Sequence, residues 1–421
     1  MPEPVDLIVR GSHLVTMNAA RDVIRDGAVA VRDRVIVAAG KAADVERDFT
    51  AFRTIGGDRF VVTPGMVNTH IHITGEPMTR GYVPDDTPFE ENVFQWLCPL
   101  YATYDADDER TSATLAAVEM LRSGTTTFLE AGTIRFLDDV VDGLHEIGIR
   151  ARVGNWVWDL PPEPDVYRST TDRAIGLLQQ QLEALPSTPD TLVSAWSTLV
   201  GHTTCSDPLW RAAKALADEH GVGMSFHMSP AKIDVDGFTA EFGQRPMVHL
   251  DEIGVLDRNV AITHAVHVDD VEIGLLAERG VSVAHCPTTA LKVSYGVTQI
   301  GKFPEMVQRG INVSIGTDGN NASNYSDLMR ATYLVAGLFK DARMDPQMFP
   351  AETAYEMATL GGARTMQLGD QIGSLEPGKR ADLVVLNLPS YSHLPYQTSS
   401  DPIRAVVKDG WVVVEEGSRV A

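Results

Sequence analysis

The sequence predicts an α/β protein: a (β/α)8 barrel carrying a small β-domain assembled from both ends of the chain. Three observations lead there. Buried strand-like runs alternate with amphipathic helices through the middle of the chain. A helix–Gly–strand junction recurs at His220-Gly221, Arg279-Gly280 and Arg309-Gly310, the C-cap glycine expected where a helix hands over to a strand. The two termini read as short strands, each block too small for a good core of its own.

Taken in order, the N-terminal part gives strands at Leu7–Arg10, Ala28–Val31 and Val35–Ala38, split by turns such as Arg32-Asp33-Arg34. The C-terminal part gives Asp382–Asn387, Ile403–Val407 and Trp411–Val414. Pairing the two ends solves both core problems. Between them, Val61–Met66 opens on β-branched residues and carries Pro64 and Gly65, and it is read as the first strand of the barrel. Further strands follow at Thr125–Leu129, Ile149–Val153, Thr191–Ala195, Gly223–Phe226, Val260–Thr263, Val281–Ala284 and Ile311–Ile315. Helical stretches such as Leu209–His220 and Asp269–Arg279 intervene. Alternation of that number points to the barrel, with a doubly wound sheet as the alternative fold.

Bulk properties exclude several classes. A chain of 421 residues, 44% hydrophobic and 22% charged, is long enough for one large domain and a smaller one. No apolar run reaches bilayer length, and Met1–Asp6 lacks the basic start and apolar core of a signal peptide. Cys98, Cys205 and Cys286 are isolated and without CxxC spacing, so neither a disulfide framework nor a cysteine metal site is expected; a reducing cytoplasm is the default location. The net charge of −22 argues against nucleic acid and anionic membranes as partners. The expected partner is a small-molecule substrate. By analogy with other barrels, a homo-oligomer, dimer or larger, is expected too.

The chemistry concentrates at the strand ends, where a barrel holds its active site. Strand one ends in His70 and His72, and i and i+2 on a strand point the same way. Strand five supplies His227, strand six His264 with His267 in the following turn, strand seven His285, and strand eight Asp318. Three imidazoles and a carboxylate suit a borderline divalent ion with an open position for water. We assign His70, His72, His227 and Asp318 as ligands. One divalent metal is expected: zinc first, with iron, cobalt or manganese as alternatives. His264 is assigned to the water or substrate, Asp318 also to proton transfer, and His285 to a substrate hydrogen bond. His267 reads as a satisfied turn residue, and His13, His145, His220, His249 and His393 as surface or structural. His202 is left open, as is whether Phe94 and Trp96 line the pocket or pack in the core.

The segments VTPGMVNTHIH, MTRGY, AAVEMLRSGTTTFLEAG, ITHAVHVDDVEIGLLAERGVSVAHCPTTALK, GINVSIGTDG and GSLEPGKRADLVVL resemble the amidohydrolase superfamily, in its cytosine deaminase-like, chlorohydrolase/triazine hydrolase branch. The resemblance covers nearly the whole chain. It implies a distorted TIM barrel, a β-sandwich made from both termini, and one divalent metal, commonly zinc. His70, His72, His227 and Asp318 fall on the family's ligands, and His264 on the histidine that contacts water and substrate. The expected division is residues 1–62 and 376–421 in the β-sandwich and 63–375 in the barrel.

One departure stands out. Enzymes of this branch usually carry a glutamate three residues after the strand-five histidine, where it shuttles a proton to a ring nitrogen. Here that place is Pro230. The branch's strand-four histidine is also displaced, to His202. The expected function is therefore metal-dependent hydrolysis of a non-peptide C–N bond in an amide, urea, carbamate or similar small molecule, through a metal-activated water, since carbonyl attack needs no ring-nitrogen acid. The alternatives are a deaminase or dehalogenase of a nitrogen heterocycle that finds its acid elsewhere, in Glu76 or His202, and a catalytically inactive ligand-binding relative.

Overall fold

The computed structural model describes residues 1–160, 167–388, 390–392, 394–396, 402–416 and 418–420, so His393 lies outside the described residues. The chain opens with β1 (Glu3–Val15), β2 (Val23–Arg32), β3 (Val35–Lys41), a short helix α1 (Ala42–Asp48) and the long strand β4 (Phe49–Pro64). Nine strand segments follow: β5 (Met66–Ile71), β6 (Thr125–Glu130), β7 (Arg150–Val153), β8 (Val193–Ala195), β9 (Ser197–Gly201), β10 (Met224–Met228), β11 (Val260–His264), β12 (Ser282–His285) and β13 (Val313–Ile315). The chain closes with β14 (Leu383–Leu386), β15 (Ile403–Lys408), β16 (Trp411–Glu415) and β17 (Ser418–Arg419).

Both ends of the chain build one eight-stranded mixed sheet, ordered β17-β16-β15-β14-β4-β1-β2-β3. The join between the ends is antiparallel pairing of β14 on β4, with Leu383 opposite Pro64 and Leu386 opposite Val61. The sheet carries two separate apolar clusters, one including Leu7, Val9, Ile36 and Leu383, the other including Val5, Ile8, Ala28 and Val45. Burial that neither terminal block achieves alone is thus shared between them.

The middle of the chain is the barrel, in two parallel arcs, β5-β6-β7-β8 and β9-β10-β11-β12-β13. Eight strands were expected and nine segments occur because the fourth is broken at Trp196. Val193–Ala195 pairs with β7 and Ser197–Gly201 with β10. The buried Trp196 ring sits against Gly223, where a Cβ would meet its atoms at 2.3 Å. The other seam, between β13 and β5, closes without a regular ladder. The Asp318 amide donates to the His70 carbonyl at 2.9 Å, the Thr317 amide to Asn68 Oδ1 at 3.1 Å, and Thr69 Oγ1 to the Ile315 carbonyl at 3.1 Å. That seam brings the end of strand eight directly beside the two histidines of strand one.

The helix boundaries follow their local signals. Asp207–Glu219 starts on Ser206, whose hydroxyl accepts from the Leu209 amide, and carries proline in its first turn. Asp270–Arg279 starts in a capping box built from Asp269 and Glu272 and ends on Gly280 at φ 69°. Among the described residues no helix is long and apolar enough to cross a membrane.

Candidate metal centre and substrate cavity

His70 lies within β5, with His72 just beyond it; His227 lies in β10, His264 ends β11, and Asp318 follows β13. Their side chains converge. His70 Nε2 is 3.4 Å from Asp318 Oδ1, His72 Nε2 is 3.2 Å from the same oxygen, and His72 Nε2 is 3.4 Å from His227 Nε2. Donors about 2.1 Å from a tetrahedral ion lie roughly 3.4 Å apart, so the set fits a divalent metal. The neighbours orient it. His227 Nδ1 donates to the Val200 carbonyl at 2.8 Å, which leaves its Nε2 lone pair facing the cluster. His70 Nδ1 is 3.0 Å from Thr263 Oγ1, while its buried Nε2 has no hydrogen-bond partner.

The electrostatics agree. Burial opposes ionisation of Asp318, but its contacts with His70 and His72 outweigh that and hold its carboxyl well below the usual range. Burial, then the neighbouring imidazoles, keep His227 neutral and able to ligate. His264 is pulled down to about 3, chiefly by burial. Its Nε2 is 3.9 Å from Asp318 Oδ2. Nitrogens of His70, His227 and His264 all fall within 4.8 Å of one another, so His264 borders the cluster.

Backbone strain collects here. His202, Ser229, His264 and Asp318 all have positive φ, at 56°, 56°, 76° and 63°. Such conformations cost non-glycine residues about 1–3 kcal/mol each and persist where surrounding structure enforces them. At Gly316 a Cβ would meet His70 Cβ at 2.7 Å, so only glycine lets strand eight pass this close to strand one.

A cavity of about 650 Å³, counting its mouth, opens onto His72, His227, His264 and Asp318. Its walls are largely apolar: Phe89, Leu97, Trp156, Trp158, Val200 and Tyr295. His202 also lines it, with its ring stacked on His227 at 5.5 Å and its Nδ1 2.8 Å from Asp234 Oδ1. The second Asp234 oxygen accepts from the Ser229 amide at 2.8 Å. Glu76 lines the cavity too, but one of its oxygens takes the Tyr101 hydroxyl and the other the Asn321 amide.

One expectation changes, one open question closes, and two wall residues are new. His285 does not reach the cavity: its ring stacks on Phe303 at 3.9 Å and both ring nitrogens are buried without partners, so a direct substrate hydrogen bond from it is ruled out by geometry. Phe94 and Trp96 pack against the core. The π-helical segment Glu91–Leu97 that carries them instead presents Val93 and Leu97 to the cavity. Trp156 and Trp158 were not anticipated, although they follow the end of β7 and the rule that found the histidines applies to them equally. His267 is satisfied as expected, by the Tyr295 carbonyl at 2.8 Å.

The amidohydrolase family model matches residues 61–413. The chain is 33% identical over 420 residues to a 5-methylthioadenosine/S-adenosylhomocysteine deaminase of Syntrophobacter fumaroxidans, covering 98% of this chain and 93% of that protein. Among solved structures, an adenosine deaminase from Xanthomonas campestris with bound zinc superposes with a TM-score of 0.89 at 31% identity, over 100% of this chain and 95% of that one. The atrazine chlorohydrolase of Arthrobacter aurescens shares the fold, with a TM-score of 0.87 at 23% identity, over 98% and 96% of the two chains.

Proposed function

We propose a function from one premise: this chain belongs to the amidohydrolase family. It is a hydrolase of carbon–nitrogen bonds other than peptide bonds. Our finer reading is an aminohydrolase that releases ammonia from an amino-substituted nitrogen heterocycle of the adenine type. The observation that carries it is similarity, over nearly the full chain, to proteins named as adenosine-type deaminases. This moves the deaminase alternative ahead of amide or carbamate hydrolysis.

His70, His72, His227 and Asp318 would hold the ion, which we take to be zinc. When bound, zinc supplies Lewis acidity and lowers the pKa of water towards neutrality. The protein's own groups then divide the proton traffic. Asp318, kept ionised, accepts a proton and later delivers it to the departing amine. His264 orients the attacking water or the developing oxyanion from beside Asp318 Oδ2. The ring nitrogen needs an acid, and Pro230 cannot be one.

His202 fills that role best. With Nδ1 bonded to Asp234, its Nε2 has no partner among the described residues and its ring lines the cavity. Glu76, the other candidate acid, already uses both oxygens. The protons balance: water enters at the carbon bearing the amino group, Asp318 passes one of the water's protons to the departing ammonia, and the other returns to His202 as the carbonyl forms.

A second reading, hydrolysis of an amide, urea or carbamate, is favoured by Pro230 itself, because attack on a carbonyl needs no ring-nitrogen acid. Zinc-loaded protein assayed for ammonia with amino-purines, and for amine release with amides and carbamates, separates the two. Ammonia from the purines alone is the expected result. Amine release alone would replace the deaminase reading by the second.

A further inference from the structure

We propose that the part of the substrate beyond the reacting carbon is an uncharged, apolar group, aryl or alkyl, held among Phe89, Trp156, Trp158 and Tyr295, and not a sugar. The inference rests on the same cavity as the deaminase reading and narrows its substrate class. It comes from following the carboxylates and side-chain donors of the cavity wall to their partners. Glu76 spends one carboxylate oxygen on the Tyr101 hydroxyl and the other on the Asn321 amide. The Thr133 hydroxyl is given to Glu130, and Asn92 donates its amide to Thr87 at 3.1 Å. His202 gives Nδ1 to Asp234, and the Trp158 indole donates to the Tyr167 carbonyl at 3.2 Å.

Away from the metal cluster, among the described residues, no carboxylate remains free to take a pair of adjacent hydroxyls. Apart from His202 Nε2, which the deaminase reading commits to the ring nitrogen, what remains is neutral. The Trp156 indole N–H and the Thr289 hydroxyl are buried without partners, and both residues line the cavity. They suit one or two acceptor atoms on an otherwise apolar ligand. Burying a ribose here would strip its hydroxyls of water without replacing the lost acceptors, a penalty that makes polar sites discriminating. An aromatic ring meets the opposite situation: the wall is itself aromatic, with Trp156 and Trp158 edge-on at 5.2 Å and Phe89 and Tyr295 edge-on at 5.8 Å, and rings of this kind favour edge or offset contact with a further one.

The Glu76 arrangement is built in. A Cβ at Gly319 would lie 1.9 Å from Glu76 Oε1, so the carboxylate is packed against the strand-eight loop as well as hydrogen-bonded. It is not poised to swing towards a ligand.

The test compares 9-benzyladenine with adenosine on the zinc-loaded, full-length protein. Binding is read by quenching of tryptophan fluorescence and turnover by ammonia release. The expected result is binding of 9-benzyladenine at least tenfold tighter than adenosine, lost on Trp156→Ala. Tighter benzyl binding with no ammonia from either compound would support the apolar pocket and sink the deaminase reading. Equal or tighter binding of adenosine would overturn the apolar pocket whatever the turnover, and so would quenching by neither.

Discussion

His202 Nδ1 lies 2.8 Å from Asp234 Oδ1, joining the end of strand four to the helix that follows strand five. In the deaminase reading proposed above, the pair supplies an acid, held at a fixed angle by a buried partner, that Pro230 cannot.

If His202 is the proton donor, His202→Asn should lower kcat by about 10²–10⁴-fold, the usual worth of a positioned general acid. Zinc content should be unchanged. Asp234→Asn should show a smaller loss in the same direction, because it frees the ring without removing it. Turnover by His202→Asn equal to that of the parent protein would transfer the role elsewhere.

Metal dependence is tested by chelation. Dialysis against a strong chelator should abolish turnover, and added zinc should restore it. Asp318→Ala should be inactive even with zinc in excess, since the same carboxylate ligates and transfers protons. Full activity in protein shown by elemental analysis to be metal-free would refute the mechanism.

Thr263 Oγ1 lies 3.0 Å from His70 Nδ1, and Thr263 does not line the cavity. Partners of this kind are typically worth about 10–100-fold in metal affinity. Thr263→Val should weaken zinc binding in a competition titration by about tenfold or more, while the zinc-saturated variant keeps most of its activity. Unchanged affinity would mean that packing alone orients His70.

Gly319→Ala places a methyl group on the Glu76 carboxylate. Overpacking of this kind costs roughly 1–3 kcal/mol. A lowered melting temperature is expected, together with altered substrate binding as the Tyr101–Glu76 contact shifts. A variant as stable as the parent would show that Glu76 has room to move.

On the opposite side of the barrel, Arg150 on β7 meets Asp382 and Asp409, with Lys408 and Arg380 also on Asp409. This buried network ties the barrel to the terminal sheet. Removing one member of a buried pair typically costs about 3–5 kcal/mol, so Arg150→Met should be strongly destabilised in urea melts. Lys408 is pulled down to about 8, mainly by burial and despite Asp382 and Asp409. Its folded pKa lies below its unfolded value near 10.5. The unfolded chain therefore binds more protons between pH 8 and 10.5, and this group's contribution to stability rises across that window. It is fully present above the window and lost as pH falls through 8. Lys408→Met should flatten that part of the stability profile; an unchanged slope would assign it to another group.

Much of the site was legible in the sequence for a physical reason. A strand's period of two and the barrel rule together place His70, His72, His227, His264 and Asp318 at one end of one sheet without any coordinates. The same reasoning located the terminal strands, because neither end had apolar surface enough to fold alone. It missed β4, whose residues before Phe60 are largely exposed, and it took Val61–Met66 for the first barrel strand, although Val61–Pro64 ends β4 in the terminal sheet and the barrel begins at Met66.

Tertiary structure decided what local pattern does not encode. A histidine at a strand end faces the cavity or the wall according to the packing around it. Phe303 takes the His285 ring, whereas Asp234 brings His202 in from a turn. The way Glu91–Leu97 docks turns Val93 and Leu97 to the cavity and packs Phe94 and Trp96 on the core. The partners of Glu76, supplied by Tyr101 and Asn321, determine whether a buried carboxylate is free for a ligand. The sequence alone thus specified a metal hydrolase of the amidohydrolase type. Which side chains are left free to meet the substrate was set by contacts between residues as far as 245 positions apart in the chain, and those arise only when the barrel closes.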